Sequence, residues 1–315
     1  RLDPAQAAAE GIDPRRAERL SVTAFRDYLA CPLRFYLRHV LGMEAKDDRA
    51  REPDALAFGT VIHAVLNEMA QAREWWACSD PDALGRWLEE RIRAQFRGRY
   101  GVRPWLGVEL ALDTAAQRLK AFAARQVEHC AQGWEIVAAE CEAARALTLA
   151  GVRVTGRIDR VDRHRETGRW WVYDYKTTDQ ARDPAEAHLG PARDDEPFAE
   201  SVFEGLLPAA SGARASRRTR WRWVDLQLPI YRELARPRLG PDVGLGYIVL
   251  PRALGETGFR EWAAYPEALH DSARRCAEAV ADRIRRGVFW PPGAVSPSRD
   301  REWASVLLGD PERTL

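Results

Sequence analysis

The sequence predicts an α/β domain in which a central mixed sheet is flanked by helices, in the order helix, three strands, helix, strand, with an added layer of helices. Three observations carry that prediction. An apolar helical pattern from Leu56 to Met69 precedes a stretch, Trp134 to Tyr175, in which the hydrophobic period shifts toward two. A second helical pattern at Trp223–Arg236 is followed by a buried-strand run at Val243–Leu250. Between the first helix and the strands, residues 80–98 and 107–130 each repeat apolar side chains at helical spacing, with Pro104 and Trp105 between them.

In chain order, residues 1–20 lack clear periodicity and read as a linker or lead-in. Ser21 to Met43 reads as two short helices, the second opened by Pro32, because proline suits the first helical position. His63 lies inside the Leu56–Met69 helix, where a lone histidine is more often structural than a ligand. Glu135–Cys141 and Ala146–Leu149 read as strands. Val152–Val161 and Trp170–Tyr175 then form an antiparallel hairpin around Thr167-Gly168. The polar segment of residues 178–222 reads as a mobile loop, long enough to be functional. In Trp223–Arg236, Pro229 is tolerable only near a helix start or a kink, and Gln227 and Tyr231, four apart, share a face. Phe259–Tyr265 reads as an edge strand, Ser272–Arg286 as an amphipathic helix and Arg301–Leu308 as a short helix. The domain is expected to span residues 21–290, with a helical insertion at about 64–130 and a tail, 291–315, packed on it.

The hairpin is where chemistry is expected. If it is symmetric, residues whose numbers sum to 333 face each other, so Asp159 opposes Asp174. Directly opposed like charges destabilise a strand pair, and carboxylates held roughly 5 Å apart need a compensating cation. Oxygen ligands suit Mg²⁺ or Mn²⁺. Alternation puts Lys176 on the face of Asp174, and an acidic pair beside an ammonium is apparatus for handling a phosphate. A surface hairpin with a charged outer face is the plain alternative. Lysine usage favours the first reading: only Lys46, Lys120 and Lys176 are lysines among 48 basic residues. A compact point charge at that position is something arginine cannot supply.

Composition narrows the rest. With 46% hydrophobic and 30% charged residues and no apolar run of membrane-spanning length, a soluble, non-membrane protein is expected. A net charge of +1 says nothing for or against nucleic acid. Locally, Arg214, Arg217, Arg218, Arg220 and Arg222 interleave with Trp221 and Trp223, a cluster able to touch a phosphate backbone and stack on bases; a solvated loop is the alternative. Cys31, Cys78, Cys130, Cys141 and Cys276 are odd in number and contain no CxxC pair, so no disulfide framework or zinc ribbon is indicated and a cytoplasmic location fits. The chain starts at Arg1 without methionine, which suggests a domain of a longer protein.

His63 in GTVIH, Asp159 in GRID, Asp174 and Lys176 in DYK, and Gln227 with Tyr231 in QLPIY occur in an order, on expected elements, that resembles the PD-(D/E)XK nuclease superfamily with its restriction-endonuclease-like αβββαβ core. More narrowly they look like its RecB-type, Cas4-like exonuclease branch, and SVTAFRDYLACPLRFYL looks like the helical lead-in of those domains. The resemblance implies metal-dependent hydrolysis of DNA in repair or recombination, as part of a helicase-nuclease or as a stand-alone exonuclease. It implies His63, Asp159, Asp174 and the backbone carbonyl of Tyr175 as ligands of Mg²⁺ or Mn²⁺, Lys176 as the residue that orients water or neutralises charge, and Gln227 and Tyr231 as positioning residues. Arg220, Trp221 and Arg222 are candidate DNA contacts. Iron-sulfur members of the branch need four cysteines. Cys31 suits the first, but only Cys276 follows Tyr231, so no cluster is expected. No GxxxxGK[ST] occurs, so any helicase motor lies elsewhere. A catalytically silent DNA-binding scaffold is the alternative, against which the intact Asp159, Asp174 and Lys176 speak. Sequence-specific cleavage would need a base-reading module, which is not seen.

Overall fold

The computed structural model describes residues 19–43, 55–142, 147–194, 196–205, 220–263 and 265–290. Its chain opens with β1 (Arg19–Ser21), α1 (Ala24–Ala30) and α2 (Pro32–Phe35), the last extended by a π turn, Tyr36–Val40. Pro32 starts α2 as expected, and the Cys31 thiol caps it by accepting the Arg34 N–H at 3.4 Å. Three longer helices follow: α3 (Ala55–Gln71), α4 (Pro81–Tyr100) and α5 (Leu106–Ala131). Asp80 caps α4 by accepting the N–H groups of Asp82 and Ala83.

The strands β2 (Trp134–Glu142), β3 (Leu147–Leu149), β4 (Val152–Thr155), β5 (Arg157–His164) and β6 (Trp170–Lys176) come next. The segment after them holds α6 (Pro184–His188), β7 (Leu189–Pro191), β8 (Val202–Glu204) and β9 (Arg220–Trp223). The chain then builds α7 (Gln227–Leu239), β10 (Val243–Val249), β11 (Gly258–Glu261) and α8 (Glu267–Arg285). The main sheet has the order β11-β10-β6-β5-β2 and is mixed, since β10 runs parallel to β6 while the other pairs are antiparallel.

Period-two alternation sends the side chains of this sheet into two cores. Trp171, Tyr173, Tyr175, Ile248 and Leu250 pack under α3, α4 and α5. Val161, Val172, Leu245, Tyr247 and Val249 pack under α1, α2, α7 and α8. Gly244 lets this arrangement close, because a Cβ there would come within 2.4 Å of the Trp171 indole.

Sequence expectation and structure differ at several elements. Val152–Val161 is not one strand: β4 joins a small sheet, β1-β4-β3, and only β5 joins the main one. The break falls at Gly156, where a Cβ would meet Val22 at 2.4 Å and Tyr231 and Leu234 at 3.1 Å, so the chain changes sheets where only glycine fits. Trp223 ends β9 rather than beginning the helix; α7 starts at Gln227, which puts Pro229 in its first turn where the missing N–H is harmless. The end of the lead-in is a strand, with β1 parallel to β4. Helix α3 runs unbroken through Gln71, past residue 64, where the helical insertion is expected to begin. The segment expected to be a mobile loop carries a sheet of its own, β7-β9-β8, between residues 189 and 223. The edge strand is shorter than expected and α8 begins five residues earlier, behind Pro266. Residues 291–315, including the expected tail and the helix at 301–308, lie outside the described residues. Just before them, Phe289 stacks on Phe35 and Tyr36 with centroids 6.0 and 4.9 Å apart, and the Tyr28 hydroxyl donates to the Val288 carbonyl at 2.7 Å.

Beneath α5 the sheet buries a charged network that the alternation of GRIDRVD did not reveal. Arg160 and Asp162, both fully buried, form a two-pronged pair at 2.7 Å on each arm. Gln126 accepts from Arg160 at 2.7 Å, and His129 Nε2 lies 2.9 Å from Asp162. The His129 ring is stacked against Phe259 and Trp134. Burial works against the Asp162 carboxylate, but Arg160 and His129 more than offset it and hold the group below the usual carboxylate range. Removing one partner leaves the other charged and dry. Asp162→Ala is therefore expected to cost about 3–5 kcal/mol in denaturant unfolding, whereas replacing Arg160 and Asp162 together by apolar residues should recover most of that loss.

Candidate active site

The hairpin places the acidic residues at one end of the main sheet. Its register pairs Arg160 with Tyr173 and Val161 with Val172, the symmetric arrangement in which Asp159 and Asp174 come next in line and face each other. Asp159 Oδ2 accepts the N–H of Tyr175 at 2.9 Å, which ties its carboxylate to the neighbouring strand. Asp174 is buried, and its Oδ2 makes an ion-pair contact with Lys176 Nζ at 2.7 Å without hydrogen-bond geometry.

His63 reaches the pair from α3. Its Nδ1 lies 3.5 Å from Asp159 Oδ2, and its ring meets Tyr175 edge-on. One turn earlier, a Cβ on Gly59 would come within 2.9 Å of the Thr177 hydroxyl, so the glycine of GTVIH lets the helix close on the end of β6. Arg118 of α5 locks that end by donating to the carbonyls of Thr177 at 2.7 Å and Leu250 at 3.2 Å. The position of His63 is therefore set by packing between α3, α5 and the strand ends.

On the other side of the sheet, the first turn of α7 supplies the remaining groups. Gln227 Nε2 donates to Asp174 Oδ1 at 2.7 Å and lies 3.2 Å from the Tyr231 hydroxyl, while its Oε1 accepts from Lys176 at 2.8 Å. One side chain thus holds both the carboxylate and the ammonium. The structure brings together His63, Asp159, Asp174, Tyr175, Lys176, Gln227 and Tyr231. It does not join Arg220, Trp221 and Arg222 to them. Those residues lie on β9, where Arg220 pairs with Asp194 at 3.0 Å and Glu204 at 3.5 Å, and Arg222 with Glu196 at 3.4 Å. Arg214, Arg217 and Arg218 lie outside the described residues.

Sequence reasoning missed four contributors. Glu140 stands beside Asp159, since its neighbours Ala139 and Cys141 pair with Arg160 and Ile158. Its φ of 44° is unusual for a strand residue, and its carboxylate, 2.6 Å from Arg157, adds to the negative field on Asp159 and His63. Within the run WEIVAAECE, an acid following the apolar stretch Ile136–Ala139 was the available signal. Asp225 accepts the Gln227 N–H at 2.8 Å. His188 Nδ1 is 2.8 Å from the Asp225 carbonyl, which can only accept, so Nδ1 carries the proton and Nε2 accepts from the Tyr247 hydroxyl at 2.7 Å. The Tyr247 ring lies 4.9 Å from Lys176 Nζ. No local pattern marks His188 or Tyr247, which meet only because α6 folds back against β10.

The electrostatics identify a cation deficit. Burial, and then the facing Asp174, push the Asp159 carboxyl up to about 8. Burial lowers the basicity of His63, leaving a neutral imidazole with a free electron pair at neutral pH. Burial also works against the Lys176 ammonium, but Asp174 beside it outweighs that and raises its pKa. Among the described residues no three His, Cys, Asp or Glu side chains are already closed around one point. The donor set of two carboxylates and an imidazole nevertheless suits a hard divalent ion, whose charge would relieve the repulsion at Asp159.

That repulsion has a measurable sign. Asp159 binds its proton more tightly folded than unfolded, so in metal-free protein it lowers stability progressively as pH rises from 3.8 to about 8. Asp159→Asn should therefore raise Tm in EDTA at pH 8.5 by roughly 2–4 °C, the shift that about 1 kcal/mol produces in a large domain. The gap should shrink toward pH 5, and added Mn²⁺ should raise Tm for the wild type and much less for the variant.

A sequence model described as the PD-(D/E)XK nuclease superfamily matches residues 19–194, a span that includes His63, Asp159, Asp174, Tyr175 and Lys176 and stops short of Gln227 and Tyr231. No curated protein matches the chain. Among solved structures, a crystal structure described as a candidate exonuclease from Eubacterium rectale is similar at 11% identity and a TM-score of 0.47, covering 93% of this chain and 89% of that one. The family match spans more than half of the sequence. The chain belongs to the PD-(D/E)XK nuclease superfamily.

Proposed function

We propose that the protein is a divalent-metal-dependent DNA exonuclease of the RecB-type, Cas4-like branch, acting in DNA repair or recombination as the nuclease domain of a helicase-nuclease. The observation that carries the reading is the facing Asp159–Asp174 pair, with the first carboxyl pushed up to about 8 and Lys176 beside the second. PD-(D/E)XK nucleases generally use divalent metals, and here His63, Asp159, Asp174 and the Tyr175 carbonyl would hold Mg²⁺ or Mn²⁺. Such an ion, when bound, polarises the phosphate and lowers the pKa of a bound water.

The chain's own residues do the rest. His63, neutral at neutral pH, offers an electron pair without first losing a proton. Lys176 stays an ammonium, so it serves as a hydrogen-bond donor and a positive charge toward the phosphate and not as a general base. About a quarter of its side chain, 26%, is exposed, enough to face a substrate. Gln227 holds Lys176 and Asp174 in fixed relation, and Tyr231 holds Gln227. Preorganised groups of this kind stabilise developing charge without reorganising during the reaction.

The test is degradation of end-labelled linear DNA, single- and double-stranded, with Mg²⁺, Mn²⁺ or EDTA. Wild-type cleavage should need the ion, and Lys176→Ala should lower kcat by about 10²–10³-fold. Covalently closed circles should survive under conditions that degrade linear DNA. Equal cleavage by wild type and Lys176→Ala would refute the assignment. DNA binding without any cleavage would favour the silent scaffold.

A further inference from the structure

The helical layer ends in a tip that the catalytic groups do not use. α4 and α5 lie antiparallel and are joined by residues 101–105. Around this turn Val102, Trp105, Leu106 and Leu110 are 86, 65, 70 and 59% exposed. The other exposed large apolar side chains among the described residues, Val137, Leu254 and Trp290, are scattered along the chain. Single exposed apolar residues need no explanation, but a contiguous group marks a contact surface.

Charge says what kind of contact. Arg97, Arg99 and Arg103 surround the apolar group and are exposed, and none has a carboxylate partner among the described residues. Arg93, one turn before them, is neutralised by Glu89 at 2.8 Å. So are the β9 arginines, Arg220 and Arg222, by Asp194, Glu204 and Glu196. From residue 97 to 110 the three arginines face one acidic residue, Glu109. An apolar, aromatic surface rimmed by uncompensated guanidinium groups complements unpaired bases on a phosphate backbone.

Placement supports the same occupant. α5 runs antiparallel to β6: His129 meets Tyr173, Phe122 meets Tyr175, and Arg118 binds the Thr177 carbonyl. The helix then continues for twelve residues to Leu106, about 18 Å at 1.5 Å per residue. The tip therefore overhangs the end of the sheet at which Asp174 and Lys176 lie.

We propose that this tip is a second contact surface for the DNA, binding single-stranded nucleotides several positions from the scissile phosphate. Bases stack on Trp105 and its apolar neighbours, and Arg97, Arg99 and Arg103 take the phosphates. Unpaired bases are required because a duplex hides the faces that this surface would cover. The proposal rests on the nuclease reading and adds to it a site remote from the chemistry.

Substrate length separates the two. Cleavage of oligothymidylates of 4 and 20 nucleotides would be followed for the wild type, for Trp105→Ser combined with Leu106→Ser, and for the triple change of Arg97, Arg99 and Arg103 to Ala. On the 20-mer the apolar variant should raise KM about tenfold with kcat unchanged. The arginine variant should raise KM and flatten the slope of log KM against log salt by about 2, from roughly 0.7 per lost phosphate contact. Neither should alter cleavage of the 4-mer, which cannot reach the tip. Unchanged KM on the 20-mer, or equal losses on both lengths, would overturn the proposal. It would also fall if the wild type sediments as a dimer that the apolar variant turns into a monomer, since the tip would then contact a second copy. A wild type that cleaves neither length would instead remove the nuclease reading, and this proposal with it.

Discussion

Two carboxylates pressed together by a strand register are the constraint around which this molecule is arranged. The pairing of Arg160 with Tyr173 fixes the register, and the next position along must then set Asp159 against Asp174. A sheet does not make that juxtaposition for stability, since like charges across a strand pair repel. Its persistence requires that the surrounding structure hold the hairpin more strongly than the repulsion opens it. The Tyr175 N–H on Asp159 and the Gln227 amide on Asp174 hold each carboxylate in place. The remaining unfavourable energy is what a cation would remove, which is how a strained arrangement becomes a binding site.

The two faces of the sheet divide the work. Beneath α5, the buried Arg160–Asp162 pair, His129 and Gln126 join β5 to the helical layer with satisfied charge-assisted hydrogen bonds. On the opposite face, α7 presents Gln227 and Tyr231, and α6 inserts His188 between Asp225 and Tyr247. Asp159 and Arg160 are neighbours in sequence and point to opposite faces, so one strand carries both a member of the facing acidic pair and the anchoring network. The segment after β6 contributes to the site through His188, so it is part of the support of Lys176 as well as a connection between strands.

Much of this was legible in the sequence because it is local. Hairpin symmetry gave the Asp159–Asp174 pairing, lysine scarcity drew attention to Lys176, and helical spacing put Gln227 and Tyr231 on one face. What was not legible depends on contacts between elements far apart in the chain. The break at Gly156 follows from Val22 and Tyr231 closing on it, neither of which is near in sequence. The small sheet around β9 forms from strands of three and four residues, too short to show a period. The same sheet sets the surroundings of Arg220 and Arg222: an arginine cluster looks basic in one dimension, but Asp194, Glu196 and Glu204 fold back onto it. His188 reads as one more polar residue until β10 brings Tyr247 to it.

The central claim is that the facing carboxylates are a metal site made by the register of the hairpin. The most direct measurement is anomalous X-ray scattering from crystals of the protein soaked in Mn²⁺. The account predicts a Mn²⁺ peak shared by Asp159 and Asp174, within coordinating distance of His63. A fully occupied Mn²⁺ elsewhere on the molecule, with Asp159 and Asp174 bare, would contradict it.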